Sequence, residues 1–177
     1  MKKIILATLI SGVMSASALA VDAGSGTVTF NGSIITAPCS IAPGEENQTV
    51  ELGQVSNVTL TAGGESSAQP FSIKLEGCNL EKSNEVTITF AGTEATSTDG
   101  EGNTAGTGLL QITGDAKGAA VKIMNSSSTQ IKVNAGSTQN YVQGDNELKF
   151  QASLKGLGTT VTPGNFQAVT NFTLAYN

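Results

Sequence analysis

The 177 residues contain no His, no Trp and no Arg, and 14 acidic groups outnumber the 9 basic ones, all of them lysine. Without His, a Ser–His or Cys–His nucleophile pair cannot be built. An acidic chain without Arg is poorly suited to nucleic-acid phosphates or to anionic membrane surfaces, so nucleic acid is not an expected partner.

The chain opens with the pattern of an export signal. Lys2 and Lys3 form a positive start, Ile4 to Val13 is a short, mostly apolar run, and Ala18-Leu19-Ala20 is a small-x-small cleavage site. The run is shorter than the roughly 20 apolar residues a membrane span needs. Removing residues 1–20 leaves one domain's length from Val21 onward. Two lysines leave with the signal, so 14 acidic groups face 7 lysines and the formal charge becomes −7. That acidity serves solubility and repulsion between folded units.

Alternating apolar residues separated by turn-forming Gly, Ser, Thr and Asn predict strands along the rest of the chain. Val28 to Ile34 alternates, and Val50 and Leu52 mark a short strand. Phe71 to Leu75 and Val86 to Phe90 alternate cleanly. Leu110 to Ile112 and Val121 to Ile123 follow, then Leu148 to Leu154, and finally Phe166 to Tyr176. Turn signals stand at Ala62-Gly63-Gly64 and Thr162-Pro163-Gly164-Asn165. The polar, Gly-rich stretch Thr93 to Gly108 reads as a surface loop, either mobile or functional. Seven or eight short strands in one span predict an all-β sandwich of immunoglobulin type.

Cys39 and Cys78 are the two cysteines. In an oxidising compartment an even count implies a disulfide. A reactive thiol pair or a metal pair fits poorly, because the cysteines lie 39 residues apart and no His accompanies them. Asp99 to Asn103 faintly resembles a calcium loop, but Thr104 stands at the sixth position and Leu110 at the twelfth, where Gly and Glu are needed. The triplets Asn57-Val58-Thr59 and Asn171-Phe172-Thr173 have the form of glycan acceptors, yet both read as strand residues. Nothing in the sequence calls for a metal or a cofactor, and no enzyme is expected.

The informative features stand at the two ends. Gly164, Phe166, Ala168, Thr170, Phe172, Leu174 and Tyr176 share one parity, so in a strand they point to one face. The sequence stops one residue after Tyr176, so this strand is expected to lack a successor along its outer edge. Gly26, Val28, Phe30, Gly32 and Ile34 also share one parity, ahead of Cys39. Such an arm would be an aggregation hazard on an ordinary monomer. A sandwich lacking its last strand could accept a neighbour's arm by strand addition. Val28, Phe30 and Ile34 would each contribute roughly 1.5–3 kcal/mol if fully buried. The alternative is that residues 26–34 form the ordinary first strand of a complete sandwich.

The ordered set Val28-Thr29-Phe30-Asn31-Gly32, Ala37-Pro38-Cys39-Ser40-Ile41, Leu52-Gly53-Gln54-Val55, Cys78 after Leu75-Glu76-Gly77, and Phe172-Thr173-Leu174-Ala175-Tyr176 resembles the pilins of bacterial chaperone–usher fimbriae. The resemblance is strongest to the shaft subunits of type 1 and P pili. Gly164, fourteenth from the end, and the penultimate Tyr176 match that family's C-terminal signature.

The resemblance implies an incomplete immunoglobulin fold, completed by donor-strand exchange between identical or related subunits. Residues 21–33 would be the donor extension and residues 34–177 the pilin domain. A periplasmic chaperone would hold the C-terminal strand and grip the carboxylate of Asn177, and an outer-membrane usher would catalyse the exchange. Gly32 would match the glycine that fits a shallow part of the groove. Gly26, Gly24 and Ala23 offer little apolar area to the outermost pocket. The expected role is a shaft subunit of an extracellular fimbrium that supports cell adhesion. The alternative is an adaptor, or a single-domain adhesive subunit that binds a host receptor.

Overall fold

The computed structural model describes residues 26–81, 84–98 and 104–176. The export-signal residues, Asp99 to Asn103 and Asn177 lie outside that set. The chain divides into a leading unit, Met1–Ile34, and a body, Ile35–Asn177. In the leading unit, residues 26–34 carry no regular secondary structure. Alternation creates a two-faced segment, but a strand also needs a partner for its backbone groups, so the strand expected over Val28 to Ile34 is not formed.

The body is almost entirely β. Its strands among the described residues are β1 (Ser40–Ile41), β2 (Gln69–Cys78), β3 (Glu85–Ala91), β4 (Glu94–Thr98), β5 (Thr104–Gln111) and β6 (Thr113–Gly114). They continue as β7 (Ala119–Asn125), β8 (Gln130–Ile131), β9 (Gly136–Asn140), β10 (Gly144–Gly156), β11 (Phe166–Gln167) and β12 (Asn171–Tyr176). One sheet runs in the order β1-β2-β10-β7-β5-β4, with β8 beside β7, and a second runs β12-β3-β9. A short ladder joins β11 to β6.

Period-2 patterning places the core between the two main sheets. Ile73 and Leu75 from β2, Val86, Ile88 and Phe90 from β3, Val121 and Ile123 from β7, and Leu148, Phe150 and Leu154 from β10 are all buried in one cluster. Phe90 and Phe150 meet edge to face at 5.3 Å between ring centroids, and Phe71 lies 5.4 Å from Phe150. Such aromatic pairs add about 0.5–1.5 kcal/mol beyond the area they bury. The expected bridge is present: Cys39 and Cys78 are joined, with their Cα atoms 4.1 Å apart. It ties the residue before β1 to the last residue of β2.

Four expectations are corrected. Thr93 to Gly108 is mostly a hairpin of β4 and β5 rather than a loop. Its threonines favour strands, Ala95 and Leu109 are buried in a small cluster with Ala120, and the Glu94 carboxylate accepts the Gly108 N–H. Val50 and Leu52 form no strand; they are half-buried on an unpaired stretch where Gly53 takes a left-handed φ of +70°. Asn57 begins a four-residue helix, Asn57–Leu60, rather than lying in a strand. Phe166 to Tyr176 is interrupted, because β3 ends at Ala91 opposite Asn171 and the chain before Asn171 pairs with Thr113–Gly114 instead.

Candidate functional site: an open groove beside the last strand

β12 pairs with β3 alone, so it forms one margin of its sheet. Its residues alternate between exposed (Asn171, Thr173, Ala175) and half-buried (Phe172, Leu174, Tyr176). Upstream, Phe166, Ala168 and Thr170 are also half-buried, whereas Gly164 is exposed. The inward residues of a covered strand would be fully buried, as Val86, Ile88 and Phe90 are in the neighbouring β3. The half-burial along β12 therefore marks a core face left partly open.

What lies beside it is a groove of about 1490 Å³. Phe166, Ala168 and Phe172 form one wall, residues 46–57 the other, and Phe71, Ile73, Phe90 and Val121 are among the residues at its base. Val50, Leu52 and Val55 lean on the core from the far wall without becoming buried. Among the lining residues only Glu46 and Glu51 are charged, and both are exposed. A groove of this kind suits an extended apolar segment, because unpaired strand edges supply backbone hydrogen bonds and alternate pockets receive side chains.

Tyr176, at the end of β12, meets Tyr141 edge to face at 5.7 Å. Partial burial, and secondarily the Tyr141 hydroxyl, raise the Tyr176 phenol above its ordinary value of 10.0, so it stays neutral. Gly164 is required by close approach. A Cβ there would lie 2.7 Å from the Ala116 nitrogen and 2.7 Å from the Asp115 Cβ.

In the leading unit, Gly26, Val28, Phe30, Gly32 and Ile34 are all exposed, Phe30 at 90%. Sequence reasoning located the β12 face but missed the opposite wall at 46–57 and the contribution of Val161. Only the spacing of Val50, Leu52 and Val55 hinted at that wall.

Comparison with known proteins points the same way. A family model described as fimbrial protein matches residues 28–177. Fimbria A protein of Serratia marcescens is 46% identical over 179 residues, covering 99% of this chain and 98% of its own length. The major MR/P fimbria protein of Proteus mirabilis (strain HI4320) is 46% identical over 166 residues, covering 93% of this chain and 91% of its own. Among solved structures, a chain of a chaperone-usher pilus matches with a TM-score of 0.73 at 29% identity, covering 89% of this chain and 98% of that one. The P pilus rod subunit PapA matches with a TM-score of 0.66 at 28% identity, covering 80% and 100% respectively. With its incomplete immunoglobulin-like sandwich, this chain is a pilus subunit and belongs to the fimbrial protein family.

Proposed function

We propose that this chain is the repeating shaft subunit of a surface fimbria and polymerises by donor-strand exchange. The observation that carries the proposal is the half-buried inward face of β12 beside a groove with uncharged walls. Within that reading, residues 21–33 are the donor extension and residues 34–177 the pilin domain. Val28, Phe30 and Ile34 of one subunit enter the next subunit's groove, with Gly26 and Gly32 at its shallow places. The contact is head-to-tail and does not close, so it builds a filament.

Before exchange, a periplasmic chaperone covers the strand from Gly164 to Tyr176 and holds the Asn177 carboxylate. An outer-membrane usher then replaces the chaperone with the incoming arm. The assembled fibre stands outside the cell and supports adhesion. A shaft role is favoured over an adaptor role by 46% identity to a relative named as a major fimbria protein.

Deletion of residues 21–33 tests the mechanism. The shortened subunit is expected to accumulate with its chaperone and to be unable to donate to a neighbour. Normal fibres, seen as denaturant-resistant ladders, would refute the donor assignment.

A further inference from the structure

The outward face of the small sheet is built differently from the rest of this acidic protein. Period 2 puts Val86, Ile88 and Phe90 inward and Thr87 and Thr89 outward on β3. Cross-strand register sets Ala175, Thr87 and Thr138 in one row and Thr173, Thr89 and Gly136 in the next. Thr87 and Thr138 share a hydroxyl–hydroxyl hydrogen bond of 2.9 Å.

Asn171 and Ala91 continue the array at one end. At the other, Glu85 opposite Asn140 is the single charged residue of the three strands. The outward face of the large sheet contrasts with it. That face carries Lys149 and Lys155 on β10 and Lys122 on β7, the last paired with Glu65 at 3.0 Å.

A neutral, small-residue face has a specific use in a subunit whose mature charge is −7. Contacts in a head-to-tail helical filament are heterologous, so this face meets a different surface of the other copy. On average that surface is acidic. A face without charge lets it approach where an acidic face would repel it. Threonine suits such a contact because its methyl and hydroxyl serve packing and hydrogen bonding, and its β-branch leaves little rotamer freedom to lose.

We infer that the Thr87–Thr89–Thr138–Thr173 face is the lateral contact on which another copy of this chain, not adjacent in donor order, stacks within one fibre. The inference rests on the donor-strand reading, which would extend the face. The residues of the arm that alternate with its apolar ones are Thr27, Thr29, Asn31 and Ser33, again uncharged. Strand addition beside β12 would align them with Thr173 and Ala175, widening the array to four strands.

The test separates lateral stacking from strand donation. Thr138→Glu and Thr138→Lys are placed singly on β9, remote in sheet order from the margin where the arm would add, with Thr89→Glu as a second acidic variant. Fibres are scored by denaturant-resistant ladders and by width in electron micrographs. Ladders are expected to be normal for all three. Thr138→Glu and Thr89→Glu should lower the fraction of fibre in wide, coiled form at least several-fold, with partial recovery in 1 M salt, where screening shortens to about 3 Å. Thr138→Lys should keep coiled fibres.

Coiled fibres unchanged in both acidic variants would overturn the stacking assignment. So would wild-type fibres that are thin threads from the outset, or unaltered width accompanied by loss of cell binding, which would make the face a receptor site. Absence of ladders from the unmodified chain would instead overturn the donor-strand reading.

Discussion

Phe172 stands directly opposite Phe90 across the β12–β3 ladder, yet Phe90 is only 2% exposed while Phe172 remains half-buried. Both belong to the inward face of the same sheet. The difference is that Phe90 sits under neighbours on both sides, whereas Phe172 looks into the groove. That asymmetry between paired residues locates the missing strand more sharply than any composition argument.

Phe30 offers the first prediction. It is 90% exposed in the leading unit, so Phe30→Ala is expected to leave the stability of the subunit body unchanged. If Phe30 fills a neighbour's groove, the substitution removes about 1.5–3 kcal/mol from the subunit–subunit contact, or roughly a ten- to hundred-fold faster fibre dissociation. Ladder persistence during heating in detergent measures this. Persistence equal to wild type would exclude Phe30 from the contact.

Loss of the Cys39–Cys78 bridge is the second. In the chain-entropy model, closing a loop of about 40 residues stabilises by roughly 4 kcal/mol. Cys39→Ser is therefore expected to lower the exported yield of subunit sharply, read by immunoblot of periplasmic extracts. An undiminished yield would show that the bridge is dispensable for folding.

Gly164 supports a third prediction. Its backbone is extended, so the constraint is space: a Cβ would crowd the Ala116 nitrogen at 2.7 Å and the Asp115 carbonyl carbon at 2.8 Å. Gly164→Ala should cost about 1–3 kcal/mol, as overpacking does elsewhere, seen as a lower denaturation midpoint of assembled fibres. An unchanged midpoint would mean that the 162–165 turn shifts freely.

The fourth concerns pH. Partial burial pushes the Glu65 carboxyl up, but the Ser153 hydroxyl at 2.7 Å, the Lys122 ammonium that hydrogen-bonds it, and the charges of Lys122 and Lys155 together hold it below its ordinary 4.5. The unfolded chain then binds this proton more readily than the folded one. Stability from this group is fully present above pH 4.5 and is lost as pH falls through the folded value. Glu65→Gln should flatten the acid limb of fibre stability. An acid limb identical to wild type would remove Glu65 from the account.

The strands that alternate in sequence, β2, β3, β7 and β10, were legible because each buries one face and period 2 records it. The hairpin of β4 and β5 was not. Its Thr, Gly and Glu residues give little apolar contrast, and its pairing is completed by the Glu94 carboxylate, which is a three-dimensional contact. For the groove, the β12 wall was readable as seven residues of one parity. The facing wall at 46–57 was not, because it lies in position without pairing, and only the folded body reveals that Val50, Leu52 and Val55 face Phe166 and Phe172 across a gap.

β1 is only two residues long, held to β2 opposite Leu75 and Glu76. Alone, so short a ladder would unzip under tension. The covalent link from Cys39 to Cys78 bypasses it. A pull delivered at residue 34 travels five residues and then passes through sulfur into the end of β2, a ten-residue strand locked against β10. In a fibre dragged by flowing liquid, the anchor of each link would therefore be a chemical bond into the interior of the body, and the first element to give way would be found elsewhere.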